Sequence, residues 1–264
     1  MTDTGAETTP VILRERRGPV EILTLNRPEA RNAVNGEVGK QMSAALDELD
    51  TDEELRVLII TGAGDKAFCA GMDLKAFGAG GGGSIGGGTG GFAGFARREI
   101  PVPVIAAVNG PALAGGFELV LACDMVVAAE HAVFGIPEAK RGLLAAGGGL
   151  VRLPKRLPMA TALELALTGD PITAARAYEL GLVNAVVPAD RVIDEAMALA
   201  GRIMANAPLS VRYSRQVTRQ AAEVSEEEAW KLSDDATAIV FNSADSREGP
   251  LAFAEKRAPK WQGR

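Results

Sequence analysis

The chain has 264 residues, of which 47% are hydrophobic and 23% charged, a composition typical of folded globular proteins. A formal net charge of −6 argues against a dedicated nucleic-acid-binding surface. The two cysteines, Cys69 and Cys123, lie far apart in apolar surroundings. We therefore expect reduced thiols, no metal site and a cytoplasmic location, and the first residues have neither the charge nor the apolar stretch of a signal peptide.

Short apolar segments alternate with helical patterns over the first two hundred residues or so. VEILTL predicts a strand that ends at the turn residues Asn26 to Pro28, and the spacing of Val38, Met42 and Leu46 predicts the helix that follows. RVLIITG, PVIAAVNG, CDMVVAAE and GLVNAVVP predict four further buried strands. This alternation indicates an α/β fold, and no apolar run is long enough to predict a membrane span.

The last part of the chain has a different pattern. From Leu153 onward helical spacing dominates, Thr173 is a predicted N-cap, and no strand is predicted after Pro208. We therefore divide the chain into a flexible tail over residues 1–9, a core over 10–205 and a helical region over 206–264. The apolar stripe of that helical region suits either oligomer contacts or an internal core face.

The segment GAGGGGSIGGGTGG, residues 78–91, fits two functional patterns at once. Its glycines match both the G-x-G-x-x-G of dinucleotide loops and the G-x-S-x-G of serine hydrolases: Gly78, Gly80 and Gly83 for the first, and Gly82, Ser84 and Gly86 for the second. Neither pattern has the strand and helix that it requires, and the single histidine, His131, is expected in a turn or at a strand edge. We interpret the segment as a mobile polyglycine loop.

Two turns are predicted to present backbone amides to a ligand. Gly115 and Gly116 precede an apolar helix, and Cys69 to Met72 form a turn of small residues after a strand. Amides in such turns stabilise a carbonyl oxygen that gains negative charge in a transition state.

Two glutamates stand in unusually apolar segments. Glu118 lies within FELVLA, and Glu138 follows a proline in FGIPEAKRG. Burial raises the pKa of a carboxyl group toward neutral pH, which suits general acid and base chemistry. Taken singly, Glu118 also fits a solvent-facing helix position, Glu138 a helix cap, and the glycines ordinary turns.

In their order along the chain, these motifs resemble the crotonase superfamily, and the enoyl-CoA hydratases in particular. The resemblance runs through LNRPEARNAVN, FCAGMDLK, PVIAAVNGPALAGGFELVLACD, FGIPEAKRGLLAAGGG, LTGDPITAARAYELGLVNAVVP and EGPLAFAEKR. It implies a spiral of β-β-α turns followed by a C-terminal helical trimerisation region. It also implies a homo-oligomer, either a trimer or a dimer of trimers.

The resemblance also implies roles for the motif residues. The amides of Met72 and Gly115 would bind the thioester carbonyl of an acyl-CoA, and Glu118 and Glu138 would hold one water between them. Glu118 would take a proton from that water, and Glu138 would protonate the α-carbon. The glycine-rich segment, taken as residues 78–94, would cover the acyl chain as a lid.

Further residues match CoA-binding positions of the superfamily, and no cofactor besides the CoA thioester substrate is implied. Four of these residues lie near the oxyanion turns and two in the C-terminal region, where they would reach the nucleotide of a neighbouring subunit: Arg31, Ala70, Asp73 and Lys75, then Phe253 and Lys256. The alternative for the two lysines is ordinary surface charge.

Departures from the common hydratase pattern leave the reaction open. GLLAAGGG, from Gly142, replaces GTIPGAGG, and the ending resembles members described as carnitinyl-CoA dehydratases. Alternatives within the superfamily are carnitinyl-CoA-type dehydration, double-bond isomerisation and thioester hydrolysis. Outside it, the alternatives are a non-catalytic acyl-CoA-binding protein and, resting on the glycine run alone, a serine hydrolase or a nicotinamide oxidoreductase.

Overall fold

The computed structural model describes residues 10–76, 78 and 88–264. Its strands are β1 (Ile12–Arg17), β2 (Val20–Leu25), β3 (Val57–Gly62), β4 (Val104–Val108), β5 (Ala112–Leu113), β6 (Met125–Ala129), β7 (Val133–Gly135), β8 (Ile172–Thr173) and β9 (Ala185–Val187). Its α-helices are α1 (Gly36–Leu49), α2 (Leu74–Ala76), α3 (Gly115–Ala122), α4 (Gly149–Arg156), α5 (Met159–Thr168), α6 (Ala174–Glu179), α7 (Val192–Met204), α8 (Pro208–Ala221), α9 (Glu226–Phe241) and α10 (Asp245–Ala254).

The strands form two sheets that the chain visits alternately. The larger sheet has the order β1-β2-β3-β4-β6-β9 and is parallel except for the β1-β2 pair, whereas the smaller has the order β5-β7-β8. The steps from β4 to β5 and from β6 to β7 each lead from the larger sheet to the smaller one. Every residue of β3 and β4 is buried, as continuous apolar runs predict for central parallel strands.

The structure confirms the α/β class and most predicted elements. Val38, Met42 and Leu46 are buried on α1, and the Thr173 side chain accepts a hydrogen bond from Arg176 N at the start of α6. Strand β1 was not predicted, because ILRERR has mostly charged side chains. It is an edge strand whose register with β2 runs from Ile12 opposite Leu25 to Arg17 opposite Val20.

The C-terminal region is helical, as predicted, and is attached to the core by an ionic contact. Asp124, just after α3, accepts hydrogen bonds from Arg215 and Arg219 of α8 at 2.7 and 2.6 Å. No helix in the described part of the chain is long and apolar enough to cross a membrane.

The glycine-rich segment lies largely outside the described residues, and so do both of the functional patterns that it contains. Its last part is packed into the protein as two short 3-10 turns, Gly88–Gly90 and Phe92–Gly94. Ala93 and Gly94 are buried, and Gly94 lies against α1 at Ser43. His131, the single histidine, is exposed in the turn between β6 and β7, as expected.

One buried side chain joins the two loops that lead to the predicted oxyanion turn. Asn32 is 1% exposed and adopts a left-handed φ of 56°, which asparagine tolerates better than most residues. Its Oδ1 accepts from Arg27 N at 3.0 Å, and its Nδ2 donates to the carbonyls of Ala63 and Ala67 at 2.9 and 2.8 Å. The turn after β2 is thereby held to the loop after β3.

We expect Asn32→Asp to lower the free energy of unfolding by about 2 kcal/mol or more, because an aspartate keeps the acceptor but leaves two buried carbonyls without a donor. Asn206→Asp is the matched control, since the exposed Asn206 amide donates to Arg202 O, and a change within about 0.5 kcal/mol is expected there. Urea unfolding measures both values. Equal stability of the two variants would contradict the role given to Asn32.

Candidate active site

Two turns from different strands meet at the predicted oxyanion site. Cys69 and Ala112 form a parallel bridge, and Leu113 N donates to Cys69 O at 3.0 Å. A Cβ on Gly71 would lie 2.7 Å from Ala114 Cβ and 3.0 Å from Gly115 N. Because that space is filled and Gly71 has a φ of +92°, only glycine lets the two turns approach so closely.

The amides of Met72 and Gly115 lie in these adjacent turns. Met72 is held by Val34, whose N–H donates to Gly71 O and whose carbonyl accepts from Asp73 N, both at 2.8 Å. Neither the Met72 nor the Gly115 N–H has an acceptor within the described ranges. Ala114, with φ 52° and ψ −130°, holds a strained conformation of the kind that clusters at functional sites. Each of the two adjacent turns therefore contains an N–H group that the described residues leave without an acceptor.

Glu118 is a buried acid rather than a solvent-facing helix residue. It lies one turn into α3, is 3% exposed, and its Oε1 accepts a hydrogen bond from Gly149 N at 2.8 Å. Burial raises its pKa above the ordinary value, while the amide of Gly149, then those of Gly147 and Gly148, act in the opposite direction. The amides thus stabilise its charged form within an apolar helix.

Glu138 has different surroundings. It lies in the 3-10 turn Pro137–Arg141, is half-buried, and its Oε2 is buried without a hydrogen-bond partner in the described part of the molecule. Burial raises its pKa first, the charge of Glu118 raises it further, and its own backbone amide lowers it. The two carboxyl groups are therefore within electrostatic range of one another, and Glu138 is the one with fewer groups that favour ionisation.

Two features of this site were missed by sequence reasoning. The Phe92 ring covers Gly115, where a Cβ would lie 2.5 Å from Cε1, and Phe92 Cβ lies 3.1 Å from the place of a Gly147 Cβ. No motif indicated this phenylalanine, which follows the glycine run directly. The amides that hold Glu118 come from the glycine triplet before α4, and glycines at a helix start were an available signal for anion binding.

The predicted CoA-binding residues near the turns have the following contacts. Arg31 O accepts from Ala70 N at 3.0 Å, which holds these two residues together. Asp73 pairs with Arg27 at 3.0 Å and accepts from Lys75 N and Ala76 N at 3.2 Å. Burial opposes ionisation of Asp73, but the Ala76 amide and the Arg27 guanidinium outweigh it, so its pKa lies below the ordinary value. The Lys75 side chain is exposed.

The two predicted CoA-binding residues of the C-terminal region are far from these turns in the sequence. Phe253, on α10, is 87% exposed, and Lys256 follows that helix with an exposed side chain. An aromatic side chain so exposed is a frequent feature of protein interfaces and ligand sites.

A large groove of the described residues lies elsewhere. It has a volume of about 780 Å³ and lies between Asp50–Glu53, Pro101–Pro103 and the C-terminal Gln262–Arg264, with no predicted site residue in its wall. The candidate site is therefore identified by its chemistry, because it combines free amides with buried acids, and not by its size.

The described residues thus combine two backbone amides without a protein acceptor, in adjacent turns, with one buried and one half-buried carboxyl group. Enzymes use groups of these kinds to bind a polarised oxygen and to move protons near it. The chain belongs to the enoyl-CoA hydratase/isomerase family, whose model matches residues 15–264. The crotonase resemblance and the fold class are thereby confirmed.

Proteins of similar sequence align with most of the chain. Carnitinyl-CoA dehydratase from Proteus mirabilis is 44% identical over 253 residues, covering 94% of this chain and 97% of the relative. Enoyl-CoA hydratase EchA19 from Mycobacterium tuberculosis is 46% identical over 269 residues, covering 98% of both. The crystal structure of an enoyl-CoA hydratase from the latter organism superposes with a TM-score of 0.92 at 48% identity, covering 97% of this chain and all of that one.

We expect Gly147→Ala to raise the pKa of Glu118 further. A Cβ there would lie 2.9 Å from Glu118 Cδ and closer still to Oε2, so the carboxylate must move away from the amides that favour its charged form. Gly201→Ala is the control, because nothing lies within 4 Å of a Cβ at Gly201 on α7. NMR titration of ¹³C-labelled glutamate measures the pKa. An unchanged Glu118 pKa in Gly147→Ala would contradict the role of the glycine loop.

Proposed function

We propose that the protein catalyses the reversible syn hydration of a trans-2-enoyl-CoA to a 3-hydroxyacyl-CoA. The observation that carries this proposal is the pair of acids with unlike surroundings, the buried Glu118 and the half-buried Glu138, within electrostatic range of each other. Glu118 lies on the helix that begins at Gly115, whose amide has no acceptor among the described residues. Hydration of a conjugated thioester requires these groups, because water must lose a proton and the α-carbon must gain one. Between these two proton transfers the carbonyl oxygen carries the negative charge.

In this mechanism the thioester oxygen accepts hydrogen bonds from Met72 N and Gly115 N. Glu118, as a carboxylate, takes a proton from water, and the water oxygen bonds to the β-carbon while the π electrons of the double bond shift toward the carbonyl. Glu138, as a carboxylic acid, then gives its proton to the α-carbon. One water is consumed, and the transfer of a proton from Glu118 to Glu138 restores the starting protonation state of both groups. Removing one oxyanion donor typically costs about 10²–10³-fold in rate.

The surroundings of the two acids support this division of roles. Glu118 accepts a hydrogen bond from Gly149 N, which favours the carboxylate form that a base needs. Glu138 has a buried oxygen without a donor and faces the charge of Glu118, which favours the protonated form that an acid needs. The proposal therefore assigns the base to the carboxylate that accepts more hydrogen bonds from backbone amides, although burial raises the pKa of both acids.

The remaining parts of the proposal concern the substrate and its surroundings. CoA would bind along four residues near the turns: Arg31, Ala70, Asp73 and Lys75. A neighbouring subunit would contribute its C-terminal pair, Phe253 and Lys256. No further cofactor is required by the mechanism. Two fully buried free cysteines are compatible with the reducing cytoplasm, where we place the enzyme.

A second candidate is the dehydration of a carnitinyl-CoA-type substrate. It is favoured by the 44% identity to carnitinyl-CoA dehydratase from Proteus mirabilis. The two candidates share one chemistry, since dehydration of a 3-hydroxyacyl-CoA is the reverse of hydration and uses the same acids in exchanged protonation states. They differ in the acyl group that the pocket accepts.

We expect Glu118→Gln and Glu138→Gln each to reduce kcat by about a hundredfold or more, because each removes one proton transfer from the transition state. The loss of the conjugated enoyl thioester absorbance measures the rate across short, long, branched, steroid-like and betaine-type enoyl-CoAs. Glu54→Gln, at an exposed acid, is the control and should retain full activity.

The products decide among the reactions. A 3-hydroxyacyl-CoA supports hydration, whereas a displaced double bond indicates an isomerase and free CoA a hydrolase. Full activity of both glutamine variants would rule out the two-acid mechanism. Binding of enoyl-CoA without any turnover by the wild type would indicate a non-catalytic acyl-CoA-binding protein.

The surface supports an oligomer as the working form. Large apolar side chains are exposed on α5 and on the C-terminal helices, more than a monomer of this size normally leaves in water: Met159, Leu163, Leu167, Trp230, Ile239, Phe241, Leu251 and Phe253. Leu167 and Phe241 are 74% and 73% exposed. We propose that these faces are covered in a trimer or a dimer of trimers.

We expect light scattering after gel filtration to give a mass of three or six times the 27.4 kDa chain. Phe241→Glu should lower that mass, because a charge buried in an apolar interface is costly. Leu13→Glu, a similar change at an exposed position of β1, should leave it unchanged. A monomeric wild type would overturn the proposed assembly.

A further inference from the structure

A second cavity, with a volume of about 660 Å³, lies between the segment around Arg97, the helix α4 and the helices α8 and α9. It contains none of the residues to which the proposed mechanism assigns a role. Its wall includes Gly148, the middle glycine of the loop that holds Glu118. The cavity is therefore adjacent to the active site but separate from it.

The charged side chains of this cavity are predominantly cationic. Four cations and two acids line it: Arg97, Arg152, Lys155, Arg219, Glu99 and Glu223. Lys155 pairs with Glu223, and Arg219 pairs with Asp124 outside the cavity wall. Neither Arg97 nor Arg152 has a carboxylate within ion-pair distance among the residues that the structure describes. Such a concentration of positive charge is notable in a chain whose net charge is −6.

Arg152 is held in this cavity by one hydrogen bond and lies close to Gly148. Its Nη2 donates to Ala96 O at 2.5 Å, and its Cζ lies 3.2 Å from the place of a Gly148 Cβ. The side chain is half-buried. A guanidinium held in one position loses little further freedom when it binds a ligand, which favours recognition by its planar set of donors.

The arginines of this cavity lie within electrostatic range of one another. Burial lowers the pKa of Arg152 first, and the neighbouring Arg219 and Arg97 lower it further, whereas Glu118 acts in the opposite direction. Grouping guanidinium groups costs free energy that Asp124, Glu99 and Glu118 offset only in part, and a bound anion would lower that cost further. Arginine forks match the geometry of phosphate oxygens bidentately.

We propose that this cavity binds a phosphate-type oxyanion, either free or as part of a small phosphorylated molecule. Its volume falls within the usual range for small-ligand sites and exceeds what a single phosphate fills. The apolar side chains of Val151, Val224 and Leu232 in its wall suit the uncharged part of a phosphorylated ligand.

Calorimetric titration of the purified wild-type protein at low ionic strength tests this proposal, with inorganic phosphate, pyrophosphate and ADP as probes. We expect at least one probe to bind with one site per chain. Arg97→Ala should weaken that binding by about tenfold or more, because it removes a charge-assisted contact. Arg202→Ala is the control, since Arg202 is exposed on α7 outside the cavity wall, and binding there should be unchanged.

Arg152→Lys provides a second variant, which keeps the charge and removes the fork, and it should also weaken binding. If that variant does not fold, Arg97→Ala still tests the proposal, because the Arg97 side chain is exposed and its removal should leave the fold intact. Tighter binding of ADP than of the two inorganic probes identifies a phosphorylated molecule as the ligand, whereas equal affinities identify the free oxyanion.

Two results would overturn the proposal. They are the absence of binding at millimolar probe concentrations and equal affinity of Arg97→Ala and Arg202→Ala for the probe, which would place the probe outside this cavity. Neither of these results depends on turnover. The cavity proposal and the proposed hydration can therefore fail independently of one another.

Discussion

The burial of one carboxyl group, that of Glu118, is the constraint on which much of the surrounding structure depends. A carboxylate in an apolar helix is unstable unless donors replace the water that it loses. The donors here are backbone amides of the loop that begins α4, with Gly149 N at 2.8 Å from Oε1. That loop must approach closely, and Gly147 leaves no room for a Cβ beside the carboxylate. The charge of Glu118 in turn raises the pKa of Glu138.

The same close packing connects the glutamates with the oxyanion turns. The Phe92 ring lies against Gly115 and the Phe92 Cβ lies near Gly147, so this one residue is close to both the oxyanion turn and the loop that holds Glu118. Gly71 contacts the Gly115 amide from the opposite strand. Because each of these contacts requires a glycine, the local sequence has little freedom, and the positions of the reactive groups are fixed by backbone rather than by long side chains.

The sequence predicts the larger sheet well because its strands are buried on both faces. Continuous apolar runs such as VLIITG and VIAAV have no other stable location in a soluble fold, and both are fully buried. Strand β1 could not be predicted in this way, because an edge strand with charged side chains has no apolar pattern. Its pairing with β2 is a property of the assembled sheet.

The same distinction, between local sequence patterns and contacts of distant segments, applies to the residues of the candidate site. Glu118 and Glu138 were predictable, because an acid within an apolar segment is a local anomaly of the sequence. Asn32, Phe92 and the Gly149 amide were not, because their importance lies in contacts between distant segments. All residues of the two glycine patterns except Gly78 lie outside the described residues, and Ala93 and Gly94, just after the glycine run, are part of the buried structure.

The segment GLLAAGGG, which differs from common hydratases, has a position that its sequence did not indicate. It begins next to one acid, where Leu143 N donates to Glu138 O at 3.0 Å, and ends at the other, where Gly149 N binds Glu118 Oε1. Changes within it therefore act on the relative position of the two carboxyl groups as well as on the pocket wall. Leu144 within it is 70% exposed, so the segment presents an apolar side chain to its surroundings. The departure from the common pattern therefore lies in the segment that connects the surroundings of the two acids.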